Sequence, residues 1–185
     1  MRLLSVNVNT PQEIGTSRGK PVLSAIIKRP VEGPVYVRRG NLEGDRQADP
    51  AIHGGERKAV YAYPSEHYEY WRERFPEMDI PWGSLGENLT TEGLLEKRAR
   101  TGDVLEIGSA RLAVTQPRLP CFKLGIRFGT ATIIKSFLES ERTGFYMQVL
   151  MEGRVQAGDE IKRVSVSPDC ETMTEMVRAV RKNQP

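Results

Sequence analysis

Val104-Leu105-Glu106-Ile107-Gly108-Ser109-Ala110-Arg111-Leu112-Ala113-Val114-Thr115 reads as two short strand-like runs on either side of Gly108-Ser109. That pair is a favoured two-residue loop, so the stretch predicts an antiparallel hairpin of Val104–Ile107 with Arg111–Thr115. The second strand leads directly into Gln116-Pro117-Arg118-Leu119-Pro120-Cys121-Phe122-Lys123-Leu124. Pro117 and Pro120 lack backbone donors and fix φ, which excludes the middle of a helix or of a central strand around Cys121. A thiol on a stiff loop near Arg118 and Lys123 is favoured to hold its thiolate, the form that attacks electrophiles and binds soft metals.

Outward from this segment the same pattern recurs. Leu4–Val8, Val22–Ile27, Val31 and Val35–Val37 alternate β-branched and polar residues, and Gly-Lys-Pro at 19–21 and Glu-Gly-Pro at 32–34 punctuate them. Ala59–Tyr63 and Gly144–Leu150 read as further strands, and Gly102–Ile107 is echoed by Gly158–Val164, each a turn followed by a strand. Helices are few. They are expected at Ser65–Phe75 between Pro64 and Pro76, at Ala131 to about Glu141, and at Glu171–Arg181, where Thr172-x-x-Glu175 forms a capping-box pattern. Many short strands with few helices predict a mainly β fold, a β-barrel or sandwich with peripheral helices, in preference to a parallel α/β sheet.

With 185 residues, 38% of them hydrophobic, the chain can bury one good core. Residues 1–164 are expected to form that domain and 165–185 a C-terminal helical extension too small for a core of its own. No run approaches the roughly 20 apolar residues of a membrane span and the start does not resemble a signal peptide, so a cytoplasmic protein with no membrane partner is expected. Cys121 and Cys170 stand far apart without Cys-x-x-Cys spacing, which supports neither a disulfide framework nor a structural zinc site. A net charge of +3 falls short of the basic stripe that nucleic acid requires. Lys28, Arg29, Arg38, Arg39, Arg46, Arg57 and Lys58 gather in the first third, a pattern suited to an anionic small molecule, with Arg38 and Arg39 favoured as a solvated face.

Four places carry candidate chemistry. His53-Gly54-Gly55-Glu56-Arg57-Lys58 joins a glycine pair to cations, which reads equally as a phosphate cradle or as an exposed turn. Asp45 after Gly44 can orient His53 or accept from a ligand amine, although a turn is the commoner role for such an Asp. Asn88 after Gly86-Glu87 can offer its amide to a ligand or to its own backbone. His67 lies at a helical packing position without a role. Cys121 supports three readings: the Cys-x5-Arg spacing to Arg127 of cysteine-dependent phosphatases, which normally have His, Gly and Ser or Thr where Pro120, Leu124 and Phe128 stand; a packed thiol; and a thiolate metal ligand.

Taken in order, Gly44-Asp45-Arg46-Gln47-Ala48-Asp49, His53-Gly54-Gly55, Lys58-Ala59-Val60-Tyr61, Gly86-Glu87-Asn88-Leu89-Thr90, Gly102-Asp103, Gln116-Pro117-Arg118-x-Pro120-Cys121-x-Lys123-Leu124 and Gly144-Phe145-Tyr146 with Gly158-Asp159 form a set that resembles the MOSC domain. Within it, the set is similar to the bacterial YiiM-like group linked to 6-hydroxylaminopurine resistance, from about Leu4 to Val164. The resemblance implies a barrel-like fold that binds molybdenum cofactor (molybdopterin), with Cys121 on the metal. It implies reduction of N-hydroxylated small molecules with electrons from a separate flavin-containing reductase, and it leaves a homodimer open. His53, Gly54, Gly55, Lys58 and Arg118, with Lys28 and Asn88, are the candidates for a basic pocket around the pterin phosphate. YiiM-like proteins commonly continue into a C-terminal helical domain, and Thr172–Val177 resembles its first helix. A cofactor carrier or sulfur-transfer protein without turnover of its own is the alternative function.

Overall fold

The computed structural model describes residues 1–49 and 54–183. Its strands are β1 (Arg2–Val8), β2 (Gln12–Ser17), β3 (Lys20–Ser24), β4 (Arg29–Pro30), β5 (Val35–Val37), β6 (Val60–Pro64), β7 (Leu89–Glu92), β8 (Val104–Ile107), β9 (Ala110–Pro117), β10 (Phe145–Met151), β11 (Gly153–Val155) and β12 (Ile161–Ser165). The helices are α1 (Tyr68–Arg74), α2 (Phe122–Arg127), α3 (Thr132–Glu139) and α4 (Met173–Lys182). No helix among the described residues is long and apolar enough to cross a membrane.

The expected mainly β architecture is present, but the barrel is not closed. Eight strands form an open sheet in the order β12-β8-β9-β10-β6-β7-β1-β4, with β6·β7 as its parallel pair. The reason lies in β1. One of its edges is taken by β7, while on the other Asn7 and Val8 pair with the two-residue β4, which contains the donor-less Pro30. Only the first residues of β1 reach β12, through the isolated bridge Arg2↔Glu160 and the bonds Leu3 N to Asp159 O (2.9 Å) and Ile161 N to Met1 O (2.8 Å). A split edge cannot carry one continuous ladder.

Two cores form on opposite faces of the sheet, and β6 shows how. Its residues are all buried, and their side chains alternate: Val60 and Ala62 join an aliphatic core with Leu3, Val6, Leu112 and Phe145, whereas Tyr61 and Tyr63 join an aromatic core with Tyr68, Trp71 and Phe137. β10 does the same, sending Phe145 and Met147 to the first and Tyr146 toward the second. Helices α1, α2 and α3 contribute to the aromatic side.

The hairpin of β8 and β9 forms with Ile107 opposite Ala110, as the Gly108-Ser109 pair required. The expected helix at Ser65–Phe75 begins as a 3-10 turn at Ser65–His67 and continues as α1. The Thr172 capping box is present: Glu175 N donates to Thr172 Oγ1 (3.2 Å) and Thr172 N to Glu175 Oε2 (2.7 Å). Met173 and Val177 are buried beneath α4, and Arg178 Nε donates to Glu141 Oε1 at 2.8 Å, so the segment after residue 164 is packed onto the main body. The helix α2, immediately after Cys121, was not expected.

Gly144, which opens β10, is the tightest turn near the strand end that carries Arg118. It has φ 60°, and a Cβ there would lie 2.4 Å from Ala62 O. Its N–H donates to buried Glu96 at 2.7 Å and its carbonyl accepts from Arg118 N at 3.3 Å. Gly144→Ala is expected to cost about 2 kcal/mol or more, read as a lowered urea midpoint at constant slope; an unchanged midpoint would show that the turn relaxes freely.

Candidate functional site

Tyr61 and Tyr146, adjacent on β6 and β10, form one wall of a cavity on the aromatic side of the sheet. Other walls come from Ser24 at the end of β3 and Ala25 and Ile26 after it, from Asp45 and Arg46, and from Arg118, Leu119 and Cys121 beyond β9. Among the described residues five cations line this space, Lys28, Arg46, Lys58, Arg118 and Lys123, against the single carboxylate Asp45. The field inside favours an anion.

Arg118 is the cation with the least water around it, at 5% exposure. Its guanidinium lies 5.6 Å from the centroid of Tyr61 and 4.9 Å from that of Phe137, and Tyr146 bonds it from the side. Burial pulls its pKa down, but the negative potential of Tyr61, Tyr146 and Cys121 more than offsets this, and the group is held above its ordinary value. Nη1 is buried and has no hydrogen-bond partner among the described residues. A charged donor left in that condition is costly unless a ligand completes it.

Cys121 is half-buried, outside any disulfide, and its backbone is extended at φ −123° just before α2. On the same cavity wall, Lys28 forms a buried ion pair with Asp45. The same carboxylate accepts from Asn9 N (2.9 Å) and from Asn88 Nδ2 (3.0 Å), while Asn88 Oδ1 accepts from Tyr61 N (3.1 Å). Asn88 is therefore committed on both ends, and it ties β6 to the Asp45 turn. Burial pushes the Lys28 ammonium below its ordinary range, opposed by the Asp45 contact and by the more distant Glu87.

Of the residues singled out from sequence, Cys121, Arg118, Lys58, Lys28 and Asn88 meet on this one cavity. Gly54 and Gly55 do not line it. Gly55 is exposed and enters the 3-10 turn Glu56–Lys58, which is held when Thr115 Oγ1 donates to Arg57 O at 2.6 Å, and the pair thereby delivers Lys58 to the wall. His53 lies outside the described residues. Arg38 is exposed beside Glu43, as a solvated face requires. The phosphatase spacing fails on geometry: Arg127 sits at the far end of α2 near Asp79 O and Ser84 Oγ, each 3.5 Å away, and is absent from the cavity wall. His67 has a partner after all, Glu96 at 2.8 Å, in a contact remote from the cavity lining.

Sequence reasoning passed over Tyr61 and Tyr146 as ordinary strand residues. For Tyr61 the available signal was the alternation in Val60-Tyr61-Ala62-Tyr63, which places Tyr61 and Tyr63 on one face. Asp45 reads from sequence as a turn residue, an acceptor or a partner for His53, and its ion pair with Lys28, which joins two segments 17 residues apart, has no signal there.

A family model for the MOSC domain matches residues 49–162. The chain belongs to the MOSC domain family. It is 42% identical over 163 residues to YflK of Bacillus subtilis, covering 88% of this chain and 73% of that protein. It is 38% identical over 146 residues to a protein named Reductase from Gibberella moniliformis, covering 77% of this chain and 26% of that protein, so it spans about a quarter of that relative. The crystal structure of YiiM from Geobacillus stearothermophilus superposes with a TM-score of 0.80 at 31% identity, over 99% of this chain and 86% of that one.

Behind the MOSC-domain cavity lies a second buried polar group. Glu87, between cavity residues Gly86 and Asn88, accepts at Oε1 from Tyr68 OH, Gly83 N (2.8 Å) and Thr90 Oγ1 (2.9 Å), while its Oε2 is buried without a partner among the described residues. Burial raises its pKa above the ordinary carboxylate range despite these donors. A raised folded value means that the native state keeps this proton after the unfolded chain has lost it. Its stabilising contribution is thus complete at low pH and is lost as pH rises through the folded value. Glu87→Gln is expected to flatten that fall in stability between acidic and neutral pH, measured by urea unfolding across pH; an unchanged slope would place the proton dependence elsewhere.

Proposed function

We propose that this cavity binds molybdenum cofactor, with the Cys121 thiolate on the metal, and that the protein reduces N-hydroxylated small molecules such as N-hydroxylated purine bases. Electrons come from a separate flavin-containing reductase. The observation that carries the reading is the buried Arg118 with its unpartnered Nη1 on a cavity wall that also holds Cys121. The donor set fits the group. A soft thiolate suits molybdenum, and Arg118 and Lys58 suit the pterin phosphate. Cys121 would be the protein's ligand to the metal, as a thiol on the cavity wall.

When bound, the cofactor supplies the redox centre, and the chain supplies position and field. Arg118 holds the anionic end, Tyr61 and Tyr146 give flat walls, and Cys121 shares the wall with Arg118 and Lys123. Membership in the MOSC family and the relative named Reductase support an oxidoreductase role.

Protein from cells that build the cofactor, grown with molybdate, is expected to contain molybdenum and pterin and to reduce 6-hydroxylaminopurine with a flavin reductase present. Cys121→Ser is expected to retain less than about a tenth of that metal and to lose the activity. Absence of both molybdenum and pterin from the wild type would defeat the reading. Bound cofactor that passes to apo-enzymes without any reduction would instead identify a carrier.

A further inference from the structure

Reducing an N–OH group requires protons as well as electrons, and the cavity holds few groups able to supply them. Arg46 and Arg118 do not release protons near neutral pH. Tyr61 OH already donates to Thr143 O at 2.8 Å, and burial raises the pKa of both Tyr61 and Tyr146. Cys121 is assigned to the metal. Lys58 and Lys123 are only half-buried. Lys28 differs from all of these, being an ammonium at 9% exposure on the cavity wall.

Its placement is unusually well fixed. Lys28 N bonds Ile26 O (3.1 Å) and Gly83 O (3.4 Å), and Gly83 has φ 88°, with a would-be Cβ only 2.7 Å from Lys28 O. At the other end of the side chain Asp45 is the one hydrogen-bonding partner of Nζ among the described residues. Lysine has three donors, so two remain for a ligand. A buried ion pair of this kind adds little to stability, because desolvation cancels most of the attraction. On a cavity wall it is better accounted for by chemistry.

Building on the reductase reading above, we propose that Lys28 is the proton donor to the departing hydroxyl of the N-hydroxylated substrate, with Asp45 as the group that positions it and favours its protonated form. The conversion balances as R–NH–OH + 2 e⁻ + 2 H⁺ → R–NH₂ + H₂O. The N–O bond breaks, and the two electrons come from the flavin-containing reductase. Lys28 gives one proton to the leaving oxygen, which departs as water, and solvent gives the other to nitrogen. Lys28 is then reprotonated from solvent beside Asp45. The charged and titratable groups facing it are Asp45 in contact, Glu87 behind, and Arg46, Lys58, Tyr61, Arg118, Cys121, Lys123 and Tyr146 around the cavity. Burial supports the role by lowering the Lys28 pKa.

A donor must be protonated to act, so turnover is lost as pH rises through the Lys28 pKa. Asp45→Asn removes the charge that retains the proton and moves this limb to lower pH.

The test compares wild type, Lys28→Arg and Asp45→Asn in three readouts: molybdenum content, the pH profile of 6-hydroxylaminopurine reduction, and NMR titration of the Lys28 side chain in cofactor-free protein. Lys28→Arg keeps the charge without a releasable proton. It is expected to retain molybdenum within about twofold while turnover falls on the order of 100-fold or more. The wild-type Lys28 is expected to titrate below the ordinary lysine range, and lower still in Asp45→Asn. Undiminished turnover in Lys28→Arg, or its loss of most molybdenum, overturns the assignment, the latter by making Lys28 a cofactor-binding residue. Wild type without molybdenum would defeat the reductase reading itself. An ordinary Lys28 titration would overturn the donor role whatever the metal content.

Discussion

The guanidinium of Arg118, buried between Tyr61 and Phe137 with one donor unmet, is the constraint around which the cavity is organised. A charge so far from water needs compensation. Ring faces supply part of it, the Tyr146 hydroxyl another part, and an anion entering the cavity can supply the rest. The chain commits much structure to holding this arrangement. Gly144 O receives the Arg118 N–H, Tyr61 OH bonds Thr143 O, and Tyr63 OH bonds Arg142 O at 3.0 Å, so the turn before β10 is held by the same tyrosine face that stacks on the cation.

That arrangement depends on the sheet having two buried faces. β6 sends Val60 and Ala62 to an aliphatic core that provides stability, and frees Tyr61 and Tyr63 to form an aromatic layer that can also hold polar tips. The cavity lies where this layer meets the Asp45 turn and the loop beyond β9. Cations from distant parts of the chain converge there, Lys28 and Arg46 from one side and Arg118 and Lys123 from another. Asn88 links the two sides by bonding both Tyr61 N and Asp45.

Local features were legible in the sequence where the chemistry is local. Gly108-Ser109 specified a hairpin and Thr172-x-x-Glu175 specified a helix start, and both formed. The open sheet, found where a barrel was expected, was not legible in the same way, because closure depends on how β1 divides its outer edge between Pro30 and Glu160, which no short window reveals. Helix α2 was hidden by its length of six residues and by Gly125 within it, which opposes helix formation. In the site, a thiol between cations was a readable signal for Cys121 and Arg118. The ion pair of Lys28 with Asp45 was not, since each residue alone looks like a loop charge. The glycine pair at 54–55 was read as a cradle with equal weight to a turn, and Gly55 is found in a turn that presents Lys58.

The most direct measurement is the thermal midpoint of cofactor-free protein as inorganic phosphate is raised, in wild type and in Arg118→Met. An anion that completes the buried guanidinium stabilises the native state by mass action. The expected result is a midpoint that climbs with phosphate in the wild type and stays level in Arg118→Met, beyond the common effect of ionic strength set by a chloride control. Equal responses in the two proteins would contradict the central role given to Arg118.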